Sequence, residues 1–356
     1  MKKSRQARRG MGLIGLAVLC LTATLALAFV LREEQEHQSI GCSTTADTPA
    51  QLVPVGKTVG IKLFSHGVMI VGLEQVDTKQ GSCSPAKDSG LKVGDIITQL
   101  DGERVDTIEE VVAIMQNSGG ETMNVIAVRN GRRLETTTEA VSCLADGSYK
   151  LGAWVRDSMA GIGTVTWYDP ATKRFCALGH GINDVDTSLL IPLKNGGIMS
   201  SRVTGVVKGS CGKPGQLHGT FDLTSDLGSL TANTDCGVFG ELYEGDFSGE
   251  ALPVAQRNQV HTGEASILSN IDGDQVQEYS VEILRIYPSA ASETRNLMIQ
   301  VTDSALLDKT GGIVQGMSGS PILQDGKLVG AVTHVLVNDP TRGYGILVET
   351  MLNGAK

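Results

Sequence analysis

From Val53 onward the chain consists almost entirely of short apolar runs of strand length, each cut off by a turn, and this excludes most helical folds at once. Val68–Gly72, Ile96–Leu100, Met123–Val128, Leu134–Thr138, Gly163–Tyr168, Phe175–Leu178, Val203–Val207, Val281–Ile286, Leu297–Val301, Ile322–Leu323, Leu328–Val335 and Gly345–Val348 are such runs. Asp101-Gly102, Asn130-Gly131, Asp272-Gly273 and Asp325-Gly326 punctuate them, and these dipeptides favour two-residue hairpin turns. One helix is expected: Thr107 is its cap, Glu110 closes a capping box, and Val111, Val112 and Met115 form its apolar stripe. The 44 glycines and the 4% aromatic content agree with short strands and tight turns. At roughly 100–200 residues per domain, a chain of 356 residues has room for two domains and a terminal segment.

That terminal segment is distinct. Lys2, Lys3, Arg5, Arg8 and Arg9 precede an uncharged apolar run from Met11 to Leu31, closed by Arg32-Glu33-Glu34. About 20 apolar residues cross a hydrocarbon core of roughly 30 Å as a helix. The basic residues keep the N-terminus cytoplasmic, so everything after Arg32 is expected outside. Ala26-Leu27-Ala28 offers a cleavage site, but the run is longer than a usual signal core and favours an uncleaved anchor. Residues 1–32 are thus read as basic stub and transmembrane anchor, and 33–52 as a polar linker.

The net charge of −9, with no basic patch past the N-terminus, argues against nucleic acid as a partner. Cys42, Cys83, Cys143, Cys176, Cys211 and Cys236 fall in the exported part. Their number permits disulfides, and buried thiols fit equally well. No cysteine–histidine spacing suggests a metal, and no cofactor motif is present.

Residues 53–142 carry Thr58-Val59-Gly60-Ile61-Lys62-Leu63, then Val68-Met69-Ile70-Val71-Gly72, then Gly90-Leu91-Lys92-Val93-Gly94-Asp95-Ile96-Ile97 running on to Val105. This order resembles a bacterial PDZ domain. The resemblance implies a groove that adds an extended peptide to a sheet edge. It is expected beside Val59, Gly60 and Ile61, with the Glu109–Gln116 helix as its other wall.

In residues 151–356 the chemistry concentrates at Gln315-Gly316-Met317-Ser318-Gly319-Ser320-Pro321. A serine between glycines can stand exposed on a sharp turn, and the Gly316 and Ser318 N–H groups can face one point as an oxyanion hole. A serine nucleophile needs a base, and the base needs an orienting acid. His180 lies just after a strand, between Gly179 and Gly181, and is the candidate base. His218 and His261 are expected in polar loops, and His334 on the strand after Ser318 reads as structural or substrate-facing. Asp303 gives the chain order His–Asp–Ser, with Asp184, Asp186 and Asp235 as competitors.

Gly161 to Thr166, Ala177 to Ile182, Gly316 to Ile322 and Gly330 to Val335, together with the anchor and the PDZ pattern, resemble the stage IV sporulation protein B family of serine peptidases. The resemblance implies a mainly β protein: an N-terminal transmembrane helix, a PDZ domain, and a chymotrypsin-like double β-barrel with His180, Asp303 and Ser318 as triad. It further implies a signalling endopeptidase of endospore formation, at the forespore membrane and facing the intermembrane space. There it would cut a membrane-bound regulator of an intramembrane protease that processes a sigma factor precursor, and would cut itself. Met317 stands where digestive relatives of that architecture hold an acid for a new N-terminus, so activation by such a salt bridge is not expected. Two other readings remain open: an anchored PDZ scaffold with an inactive barrel, and a general envelope quality-control protease.

Overall fold

The computed structural model describes residues 51–354 except 244–246 and 289–293. The expected anchor, the linker up to residue 50, and Cys42 lie outside the described residues. Among those described, no helix is long and apolar enough to cross a membrane.

The chain opens with β1 (Gln51–Pro54) and a 16-residue β2 (Thr58–Leu73). A small unit follows: β3 (Val76–Thr78), β4 (Gly81–Cys83), α1 (Pro85–Asp88), β5 (Ile96–Leu100), β6 (Glu103–Arg104), α2 (Ile108–Ser118), β7 (Thr122–Arg129), β8 (Arg132–Glu139), β9 (Val141–Ser142) and β10 (Tyr149–Lys150). Next come β11 (Ala153–Tyr168), β12 (Arg174–Ala177), β13 (Leu193–Val207), β14 (Gln216–Thr234), β15 (Gly237–Leu242) and β16 (Leu252–Pro253). The last part is β17 (Gly263–Asp272), β18 (Gln275–Ile286), β19 (Leu297–Val301), α3 (Ser304–Thr310), β20 (Pro321–Gln324), β21 (Lys327–Leu336), β22 (Asp339–Leu347) and α4 (Val348–Gly354).

Two rings of strands result. β17, β18, β19, β22, β21 and β20 form a closed barrel. β11, β12, β15, β14, β13 and β2 pair in turn, and β2 pairs back to β11, which closes a ring that comes earlier in the chain and is the first barrel, the β17–β22 ring being the second. Val59, Ile61, Leu63, Val165, Phe175 and Ile198 fill the first ring; Ile283, Leu297, Ile299, Ile322, Val332 and Leu347 fill the second. Trp167, Cys176, Phe239, Leu328 and Ile346 form an apolar layer that draws on both. The expected turns are made: Asp101-Gly102, Asn130-Gly131 and Asp325-Gly326 have positive φ at both residues, which matches the twist of hairpin strands. The capping box at α2 is also made, Thr107 Oγ1 accepting from Glu110 N and Glu110 Oε2 accepting from Thr107 N.

The PDZ-like unit is an insertion, not a leading domain. The first part of β2, Thr58–Ser65, pairs with both β11 and β13 and is a stave of the first barrel. The second part, from Val68, pairs with β5 and crosses into the inserted sheet. The boundaries 53–142 and 151–356 therefore place all of β2 in the first unit, although its Thr58–Ser65 part is a stave of the barrel. Apolar alternation does not reveal this, because a stave and a sheet strand have the same period.

Candidate active site

Ser318 stands on the loop between α3 and β20. Gly316 and Gly319 have φ of 100° and 99°, and a Cβ on Gly319 would lie 2.0 Å from Thr164 O. Met317 between them is fully buried in the second barrel and pins the turn, so it offers no charge to a new N-terminus. Thr164 of β11 braces the turn from the first barrel: its N–H donates to Ser318 O (3.1 Å) and its hydroxyl to Gly316 O (2.7 Å). The N–H groups of Gly316 and Ser318 have no acceptor among the described residues, and both residues are half-exposed. Two open donors on the serine's own turn are the donor pair that an oxyanion hole requires.

His180 comes from the first barrel, just past β12. Leu178 N donates to Thr164 O (3.1 Å), and Gly179 packs against Ala331 and Thr333 of β21. His180 and Ser318 are thus gathered around the same few residues. The His180 Nδ1 lies 2.8 Å from Gly181 O. A carbonyl only accepts, so Nδ1 carries the proton and Nε2 keeps its lone pair. Burial holds the imidazole below its ordinary pKa, partly offset by the Gly181 carbonyl. A neutral ring with Nε2 unprotonated is the form a general base needs.

The Ser318 hydroxyl donates to Thr333 O (2.6 Å). The next residue, His334, has its ring centroid 5.0 Å from that of His180. Burial, with His180 and Arg295 nearby, pushes His334 down to about 4, and its Nδ1 is buried without a partner. His334 is thus a member of the site that residue types alone did not single out. Its only signal was its place on the strand after Ser318.

The acid expected from chain order, Asp303, makes its hydrogen bonds elsewhere. Asp303 caps α3, its Oδ1 accepting from Leu306 N at 2.9 Å, and its backbone N–H donates to Ser280 O. Met298 pairs with Tyr344 and Tyr344 with His334, so Met298 marks the level of the site. Asp303 lies five residues further along, past the end of β19. Asp184 and Asp186 do not reach His180 either. Both bind Arg156 of β11, and the buried Asp184 also accepts from Thr187 N and Oγ1. Asp235 lies in the turn between β14 and β15. Among the described residues, the Gly181 carbonyl is the hydrogen-bond partner of the His180 ring. His218 lies within β14 rather than in a loop, and His261 pairs with Asp325 at 2.8 Å.

Val59, Gly60 and Ile61 do not border a peptide groove. Val59 pairs with Gly163 on one side and Ser200 on the other, and Ile61 with Gly161 and Ile198, so neither edge is open. Val59 and Ile61 are buried in the barrel core. The wall opposite helix α2 is instead the chain from Ser148 to Val155. No disulfide is made by Cys83, Cys143, Cys176 or Cys211; Cys176 is a fully buried thiol beside Trp167 and Phe239.

A serine on a sharp turn with two open N–H donors, a neutral histidine beside it and two strand rings are the arrangement of a serine peptidase, here with an inserted PDZ-like unit. The model of the SpoIVB peptidase S55 family matches residues 147–352, more than half of the chain, and the chain belongs to that family. A PDZ domain model matches residues 79–129. No curated protein matches the chain. Among solved structures, the active form of the Rv3671c protease from M. tuberculosis is similar at 14% identity over 56% of this chain and 73% of that one, with a TM-score of 0.31. The PDZ domain of the SdrC-like protein from Listeria monocytogenes is similar at 20% identity over 25% of this chain and 87% of its own, with a TM-score of 0.21. Human heparin binding protein is similar at 13% identity over 54% and 82%, with a TM-score of 0.28.

Proposed function

We propose that the protein is a site-specific, membrane-anchored endopeptidase of endospore formation, acting from the forespore membrane on a membrane-bound regulator and on itself. Membership in the SpoIVB peptidase S55 family supports this reading, as does the N-terminal apolar run. In the proposed mechanism Ser318 Oγ turns from the Thr333 carbonyl and attacks the scissile carbonyl. His180 Nε2 takes its proton and later gives it to the leaving amine. The Gly316 and Ser318 N–H groups hold the oxyanion. β21 leaves the β20 ladder at Ala331, so the backbone past Thr333 offers an edge for the substrate main chain. The observation that carries the reading is the pair of open N–H donors on the Ser318 turn next to a histidine whose Nε2 is free.

The resting bond from Ser318 to Thr333 O favours one second reading, a PDZ scaffold with a silent barrel. Labelling with a fluorophosphonate probe, mapped by peptide mass, separates the two. Label on Ser318 that is lost in His180→Ala is expected. Ser318→Ala is expected to abolish self-cleavage with unchanged circular dichroism; full cleavage by that variant would sink the serine assignment.

A further inference from the structure

Four side chains stand in one row across the second barrel. Arg285 of β18 pairs with Met298 of β19, Met298 with Tyr344 of β22, and Tyr344 with His334 of β21. Residues directly opposite on neighbouring antiparallel strands share a face of the sheet. Leu297 and Ile299, on either side of Met298, are fully buried in the barrel, so the row faces outward. One end of the row meets the nucleophile. His334 follows Thr333, whose carbonyl accepts from the Ser318 hydroxyl, and its ring lies 5.0 Å from that of His180.

The row carries aromatic rings with guanidinium groups over them. Tyr287, just past β18, has its ring centroid 6.3 Å from that of Tyr344. Arg285 lies over the Tyr287 ring and Arg295 over the Tyr344 ring, each at 5.1 Å. A guanidinium stacked on a ring directs its N–H groups along its own plane, in the fork that matches a carboxylate. Both arginines are exposed, and Arg285 has no carboxylate partner among the described residues.

His334 adds a donor. Burial, His180 and Arg295 together push the ring down to about 4, so it is neutral and carries one N–H. The half-buried ring makes no hydrogen bond among the described residues, and its Nδ1 is the buried nitrogen, which leaves Nε2 for a ligand. The chain as a whole carries a net charge of −9. Two exposed cations and an imidazole donor beside the nucleophile reverse that sign locally. Like charges gathered on one face repel, and a carboxylate among them relieves the repulsion.

We infer that His334, Arg295 and Arg285 form an acidic subsite, through which the enzyme selects polypeptides with glutamate or aspartate in the few residues before the scissile bond. That half of the substrate runs along the β21 edge past Thr333, the edge on which His334 stands. A bound carboxylate fixes the His334 proton on Nε2 and pairs with the guanidinium groups above the two tyrosines. The subsite deepens the peptidase reading above, and its role in cleavage rests on that reading.

The test uses the full chain and three peptidyl diphenyl phosphonates that end in the same valine phosphonate and carry Glu-Glu-Ala, Gln-Gln-Ala or Lys-Lys-Ala before it. The rate of Ser318 modification is read by peptide mass. The Glu probe is expected to react at least tenfold faster than the Gln probe, and the Lys probe slowest. High salt is expected to shrink the preference, as screening requires. Arg285→Gln and Arg295→Gln are each expected to cut the Glu-to-Gln rate ratio at least threefold, and together to bring it within twofold of one. Equal rates for the Glu and Gln probes on the unaltered chain overturn the subsite. A ratio that survives both substitutions, including one where both rates fall in parallel, overturns its assignment to these arginines. If none of the three probes modifies Ser318, anisotropy of fluorescent Ala-Glu-Glu-Ala-Val against Ala-Gln-Gln-Ala-Val decides. Preference for the acid that disappears in the double variant upholds the subsite, and equal binding overturns it. Fluorophosphonate labelling then reports separately on the serine assignment.

Discussion

His180 and His334 are the groups whose chemistry depends most on their surroundings. Burial favours the neutral form of each, so both are uncharged at neutral pH. A base must be neutral to act. Activity is therefore lost only as pH falls through the His180 value, which lies below the ordinary 6.5. The acid limb of kcat/KM is expected below pH 6.5, with a plateau at neutral pH. An acid limb above pH 7 would mean that a negative charge faces the ring in the working enzyme. Asp303 is the residue to ask about. Asp303→Ser keeps a cap for α3 and removes the charge. Acting through the cap alone, Asp303 is dispensable as an acid, and Asp303→Ser is expected to stay within about tenfold of wild-type kcat. A loss of about 10⁴, the size seen when a triad carboxylate is removed, would place Asp303 on His180 during turnover. The nucleophile was legible because Gly-Met-Ser-Gly-Ser-Pro encodes its own sharp turn. The acid was not, because chain order sets no distance between loops.

β11 does the most work of any element. It is a stave of the first barrel, the brace of the Ser318 turn through Thr164, and the wall facing α2. Arg156 fastens it to the loop after His180 through Asp184, whose side chain is fully buried. Burial would raise the Asp184 carboxyl, but Thr187 and Arg156 together hold it below its ordinary 3.8. Its contribution is thus present at neutral pH and fades only as pH falls through that lowered value. Asp184→Asn leaves the guanidinium without its buried partner and is expected to cost about 3 kcal/mol in urea unfolding. A cost under about 1 kcal/mol would show that Thr187 alone holds the loop. The hairpins were legible from Asp-Gly and Asn-Gly pairs, since those turns are local. The length of β11 was not, because the apolar run Gly163–Tyr168 marks only its buried end, and Ala153–Ile162 is an edge with mixed polarity.

The first barrel and the inserted unit share β2 and β11, so they cannot be separated at the boundaries 142 and 151. A fragment Leu151–Lys356 lacks Thr58–Ser65, and with it the strand between β11 and β13. That fragment is expected to give no cooperative thermal transition, while a fragment starting at Pro49 is expected to unfold in one step. A cooperative transition in the shorter fragment would show that the first barrel closes without β2.

The chain by itself determined what is set by neighbours in sequence. The strand period, the turn dipeptides, the capping box at Thr107, the serine turn and the histidine between glycines all follow from local sterics and hydrogen bonding. Tertiary structure alone decided what depends on closure. It made Val59–Ile61 a barrel stave instead of a groove wall, set His334 beside His180, and made Asp303 the cap of α3. The physical reason is that a strand shows only which of its residues are apolar. Which strand lies beside it is settled by the ring that closes around the core.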